Sequence, residues 1–210
     1  MTKNIIINII ELLKEAYPKA KCSLDFSTPF ELVVAVALSA QCTDERVNKV
    51  TKKMFEKYNT PQDFANLELE EIEDLIKSCG FYKNKAKNLK ACSQKLLKDF
   101  NGIVPQTMDE LTTLPGIGRK SANVILLEAF DICVGVAVDT HAKRLSNRIG
   151  FSNQTEPLKI EMDLIKKVPK EYLKYLNHLL VFHGRNTCTA RNPDCKNCVI
   201  SEYCRFYKNK

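Results

Sequence analysis

Apolar residues recur at helical spacing along almost the whole chain, so helix is the element that the pattern predicts nearly throughout. Ile5, Ile9, Leu12, Leu13 and Ala16 fall on one stripe, which stops at Tyr17-Pro18, where the ring removes a donor and clashes with the preceding turn. Thr28-Pro29-Phe30-Glu31 supplies a capping hydroxyl, a proline at the first helical position and a glutamate at the third, ahead of the apolar run Leu32 to Ala40. That run reads as a buried helix. Thr43, Thr60-Pro61 and Thr107-Met108-Asp109-Glu110 open further helices by the same chemistry. Ile132 to Val138 alone looks extended, and because a lone strand has no partner it is read as a linker between helical lobes. The expected fold class is all-α, with about ten helices.

Composition narrows the class. A chain of 210 residues with 44% hydrophobic and 27% charged positions can bury an ample core without a disulfide scaffold. No apolar run approaches the roughly 18 residues of a membrane span. The start, Met1-Thr2-Lys3-Asn4, leads into an Ile-rich stretch broken by Asn8 and Glu11, without a small-residue cleavage site, so a cytoplasmic protein is expected. Of nine cysteines, Cys22, Cys42, Cys79, Cys92 and Cys133 are scattered singly, as reduced thiols would be. The net charge of +7 favours a polyanionic partner. Six lysines and no acid between Lys83 and Lys98 fit such a partner or an ordinary solvated helix face.

Three segments carry candidate chemistry. Leu114-Pro115-Gly116-Ile117-Gly118 lies between a short helix from about Met108 and a longer one from Arg119 to Phe130, with Ala122, Ile125, Leu126 and Ala129 on its apolar face. The two glycines permit positive φ and leave amide N–H groups uncovered at a helix N-terminus, which suits a phosphate; a plain turn between helices is the alternative. Lys120 stands in the first turn, where the helix dipole disfavours a cation, and with partial burial and Arg119 beside it the free amine is favoured as a nucleophile; phosphate steering is the competing role. Asp139 follows the extended segment and precedes the pattern Ala142, Leu145, Ile149, placed to cap that helix. Finally, Cys188-x6-Cys195-x2-Cys198-x5-Cys204 can close four thiolates around one metal centre, zinc or an iron-sulfur cluster, although zinc sites usually pair two C-x-x-C knuckles and only one is present.

Leu-Pro-Gly-Ile-Gly-Arg-Lys-Ser-Ala resembles the helix-hairpin-helix motif of the DNA glycosylase superfamily, and Val138-Asp139-Thr140-His141 resembles its catalytic aspartate segment. Within the superfamily the endonuclease III branch is most similar, because the cysteine spacing matches its 4Fe-4S ligand pattern residue for residue. The resemblance implies two helical domains with a DNA-binding groove between them. Residues 22–132 would form a six-helix barrel domain holding the hairpin at about 108–130, and residues 1–21 plus 133–210 the iron-sulfur cluster domain. It implies a monomeric, bifunctional DNA glycosylase and AP lyase that removes oxidised pyrimidines from double-stranded DNA. Lys120 would attack the sugar C1′ and cleave 3′ to the abasic site by β-elimination, with Asp139 stabilising positive charge. Gln41 would enter the space vacated by a flipped base, and Phe81 stands where the family usually has a leucine wedge. Gly116, Gly118, Arg119 and Arg191 would contact DNA, with Ser39, Asp44 and His141 near the pocket. Thr112 departs from the pattern, standing where other members carry an acid. Two rivals are a monofunctional glycosylase, which lacks the amine, and a non-catalytic DNA-binding module with a zinc site.

Overall fold

Threonine hydroxyls set five of the helix starts in the computed structural model, which describes residues 1–209. Thr2, Thr28, Thr43, Thr60 and Thr107 each accept a hydrogen bond from the backbone N–H three residues on, satisfying a donor that has no partner within the helix. The elements, in order, are α1 (Lys3–Ala16), α2 (Pro29–Ser39), α3 (Asp44–Phe55), α4 (Pro61–Asn66), α5 (Leu69–Ile76), α6 (Tyr82–Phe100), α7 (Met108–Leu111), α8 (Arg119–Phe130), α9 (Thr140–Ile149), α10 (Pro157–Lys167), α11 (Lys170–Asn186), a 3-10 turn (Ser201–Tyr203) and α12 (Arg205–Lys208). No strand occurs among the described residues, and residues 132–138 are irregular. The twelve α-helices among the described residues exceed the ten or so expected; α12 is a single turn, too short to show a period in sequence.

Two compact units divide the chain. The unit Ser23–Ile132 contains α2 to α8. Its centre is α2, buried over nearly its whole length and packed on α3, α6 and α8, while α6 also holds α4 and α5. The other unit joins Met1–Cys22 to the chain from Cys133 onward, with α1 and α9 packed on α11. Its core draws on Ile6, Ile9, Ile10 and Leu13 of α1. The stripe is therefore offset from the expected one: Ile5 and Leu12 are half-buried and Ala16 is exposed. Five isoleucines within six positions blur the phase, and only the packing partner selects the face. Among the described residues no helix is long and apolar enough to cross a membrane.

Candidate active site and metal centre

In the Ser23–Ile132 unit the hairpin is pinned from inside by Leu114 and Ile117, both buried, and closed by the bonds Leu114 N–H to Leu111 O and Ile117 N–H to Leu114 O, each 3.1 Å. Gly116 takes φ +82°, and a Cβ there would lie 3.1 Å from the Cβ of Asn88, so both backbone and space require glycine. Gly118 differs from the expectation of positive φ. It is the N-cap of α8 at φ −95°, ψ 176°, a conformation open to any residue, and a Cβ there would meet nothing within 4 Å. No side chain caps α8. The space over Gly118 thus lies against the positive end of a 12-residue helix dipole, where an anion is stabilised. Lys120 stands in that first turn and is exposed, where the sequence reading expected partial burial. The Thr112 hydroxyl donates to the carbonyls of Met108 and Asp109 at 3.0 and 3.1 Å and so finishes α7.

Four non-glycine residues of the same unit lie in the left-handed region: Asn101 and Asp131 cap the C-terminal ends of α6 and α8, and Gln41 and Phe81 stand on loops ahead of helices. Gln41 has φ 53° and is exposed; Phe81, the N-cap of α6, has φ 58° and is 66% exposed. A bulky side chain held both in a costly backbone conformation and out of the core is a signal of function, and it rules out a packing role for Phe81. The loops touch, since a Cβ on Gly80 would lie 3.4 Å from the Gln41 carbonyl oxygen. Lys85 stitches them: its buried ammonium donates to the Leu38 carbonyl at 2.8 Å, while its N–H bonds to Phe81 O. Ser39, last in α2, donates to Val36 O at 2.9 Å, and Asp44 is half-buried at the start of α3. Three of the six lysines from Lys83 to Lys98 are already engaged, Lys85 as described, Lys90 with Leu67 O and Lys95 with Asp99. The run is not a uniformly free cationic face.

In the other unit Asp139 is the N-cap of α9, its Oδ1 accepting the Ala142 N–H at 2.7 Å. The carboxylate is half-buried, and Asn177 bonds the Ala137 carbonyl two residues before it. His141 packs against Gly184, where a Cβ would fall 2.8 Å from His141 Nδ1.

Cys188, Cys195, Cys198 and Cys204 line one partly open pocket with Ile149, His183, Pro193 and Ile200. Burial pushes the Cys198 thiol up, and the other three cysteine sulfurs add to the shift through like charge. A cation centre placed among them would reverse that repulsion. Four soft sulfur donors suit iron-sulfur chemistry. Among the described residues no three His, Cys, Asp or Glu side chains form a group able to hold one metal ion. The four thiols line the same pocket, as ligands of a single centre must. Sequence reasoning missed the residues that brace this loop. Arg148 of α9 donates to the Cys188 sulfur at 3.4 Å, to Thr189 O at 2.7 Å and to Ala190 O at 2.8 Å, and Arg144 donates to Cys188 O at 3.0 Å. Their positions at i and i+4 on α9 were the available signal. His183 lies 3.5 Å from the Cys198 sulfur and 2.9 Å from the Tyr17 hydroxyl, and burial pushes it down to about 4, so the ring is neutral near pH 7. Arg191 and Lys196 are exposed on the loop.

Residues 34–170 match the HhH-GPD superfamily of base excision DNA repair proteins, and residues 188–204 match the iron-sulfur binding domain of endonuclease III. An endonuclease III of Synechocystis sp. is 50% identical over 93% of the chain and 90% of its own length. The chain belongs to the endonuclease III family. The Escherichia coli K12 member is 42% identical over the full chain and 99% of its own. A solved structure of a trapped covalent endonuclease III–DNA intermediate superposes with a TM-score of 0.92 at 44% identity, covering 100% of this chain and 98% of that one. Membership makes this chain a base excision repair enzyme, a DNA glycosylase and AP lyase, with a 4Fe-4S cluster as the family cofactor.

Proposed function

We propose that Lys120 is the nucleophile and Asp139 the charge-stabilising carboxylate of the family reaction, acting on oxidised pyrimidines in double-stranded DNA. The uncapped N-terminus of α8, open over Gly118 with the Lys120 amine on its first turn, carries the reading. A phosphate held by backbone N–H groups there fixes the strand beside the amine, which converts an encounter into an intramolecular attack. The Lys120 nitrogen bonds to C1′ and the damaged base leaves with the glycosidic electron pair. The nitrogen loses its proton and the C1′–O4′ bond opens to an imine, loss of the C2′ proton that this imine acidifies then expels the 3′ phosphate, and the imine is hydrolysed. Asp139, held by its capping bond, keeps a fixed negative charge where positive charge develops on the sugar. Gln41 and Phe81 enter the helix when the base is extruded, at a cost of a few kcal/mol that is least for a damaged pair. Arg119 and Arg191 contact phosphates, and Ser39, Asp44 and His141 lie toward the flipped nucleotide. The barrel domain is residues 22–132, with the remainder as the cluster domain.

Cys188, Cys195, Cys198 and Cys204 hold the cluster, which supplies a rigid, charged anchor for the loop carrying Arg191 and no bond-breaking chemistry. The other five cysteines, none in a disulfide, suit the reducing cytoplasm, where the enzyme acts as a monomer. The test is borohydride trapping on an oxidised-pyrimidine duplex. Wild type forms the covalent adduct; Lys120→Gln forms none and does not nick, yet still binds abasic DNA. An adduct from Lys120→Gln at the wild-type rate refutes the assignment.

A further inference from the structure

Cys42 and Cys79 lie outside the four-cysteine segment, and their thiols are near enough to act on each other electrostatically. Their places in the chain are informative: Cys42 directly follows Gln41, and Cys79 directly precedes Gly80-Phe81. Each thiol therefore sits at the root of one of the two left-handed, exposed tips, and the backbones there are already in contact, 3.4 Å from a Cβ built on Gly80 to Gln41 O. The thiols differ in access. Cys42 is half-buried, whereas Cys79 is 1% exposed. Arg46 and Lys85 stand close enough to act on this pair, and cations of that kind favour a thiolate. Burial and then the Cys42 sulfur push the Cys79 thiol up, so it remains protonated until it reacts.

We propose that Cys42 and Cys79 form a reversible disulfide with a small-molecule disulfide such as glutathione disulfide, and that this bond switches off base extrusion by tying the two tips together. The chemistry balances. The Cys42 sulfur attacks one glutathione sulfur, the S–S bond breaks, and one glutathione thiolate leaves and takes up a proton. The Cys79 sulfur then attacks Cys42, the mixed disulfide breaks, and the second glutathione leaves with the proton of the Cys79 thiol. Two protein thiols are oxidised and one glutathione disulfide is reduced to two thiols. Drawing the two sulfurs to about 2.05 Å moves the chain on both sides of the pair, and with it Gln41 and Phe81. The functional consequence rests on the wedge role given to those residues above, but formation of the bond does not.

Holoprotein is incubated with glutathione disulfide, and peptide mapping and excision of an oxidised pyrimidine are measured before and after dithiothreitol, with cluster absorbance followed throughout. The expected result is a Cys42–Cys79 cross-linked peptide, unchanged cluster absorbance, an excision rate reduced about tenfold or more, and full recovery on reduction. Cys42→Ser and Cys79→Ala keep reduced-state activity and become insensitive to the oxidant. Absence of the cross-linked peptide overturns the disulfide. A cross-link that leaves excision unchanged overturns the switch. Failure of the fully reduced wild type to trap with borohydride would instead count against the Lys120 assignment, which the peptide map does not depend on.

Discussion

Alanine at Gly116 and alanine at Gly118 separate what the hairpin needs for folding from what it needs for its ligand. At Gly116 the backbone has φ +82°, where a side chain costs about 1–2 kcal/mol, and the added Cβ must also displace Asn88 from 3.1 Å. For a chain of this size each kcal/mol moves Tm by roughly 2–4 °C, so Gly116→Ala lowers it by about 2–8 °C. At Gly118 the backbone is ordinary and the space is empty to 4 Å. There the lost flexibility of the unfolded chain and the poorer capping by alanine nearly cancel, leaving stability within about 0.5 kcal/mol. The ligand sees the reverse. A methyl group over Gly118 stands where a phosphate must approach the first-turn N–H groups, and losing one or two such hydrogen bonds costs about 1.5–3 kcal/mol, at least tenfold in Kd. Thermal scans of the holoprotein and anisotropy titrations with an abasic-analogue duplex measure the two effects. Gly118→Ala with unchanged Tm and Kd weakened tenfold is the expected outcome. A folded Gly118→Ala that binds as tightly as wild type would show that no phosphate sits there.

Other substitutions test the remaining parts. Asp139→Asn retains an oxygen to cap Ala142 N–H, so circular dichroism and Tm stay near wild type while single-turnover base excision falls by about 10²–10³, the scale of a lost preorganised charge. Phe81→Asn relieves left-handed strain and stabilises by about 1 kcal/mol, yet weakens binding to a lesion duplex; equal affinity would remove Phe81 from the wedge. Arg148→Ala removes three hydrogen bonds to the cysteine loop and lowers the iron and sulfide content of purified protein, whereas Arg191→Ala leaves it intact and reduces the salt slope of DNA binding by about one.

What the sequence determined by itself was local. Threonine caps, Pro at first helical positions, the hairpin with its Gly116 turn and the four-cysteine spacing are short-range patterns whose geometry follows from a few consecutive residues. The capping role of Asp139 was equally legible, because an acid ahead of an amphipathic run has one obvious set of N–H groups to accept. What only the tertiary structure decided depended on distant segments. The buried face of α1 was fixed by α11, the exposure of Lys120 and Phe81 by the absence of anything packed over them, and the role of Lys85 by a carbonyl 47 residues away. Gly118 looked like a conformational requirement beside Gly116 and proved to be a matter of open space, which no local pattern records. The meeting of Cys42 with Cys79, and of Arg148 with the cysteine loop, likewise arose from helix packing. Caps and turns are encoded by neighbours in sequence; burial and contact between remote side chains are set by which faces the core brings together.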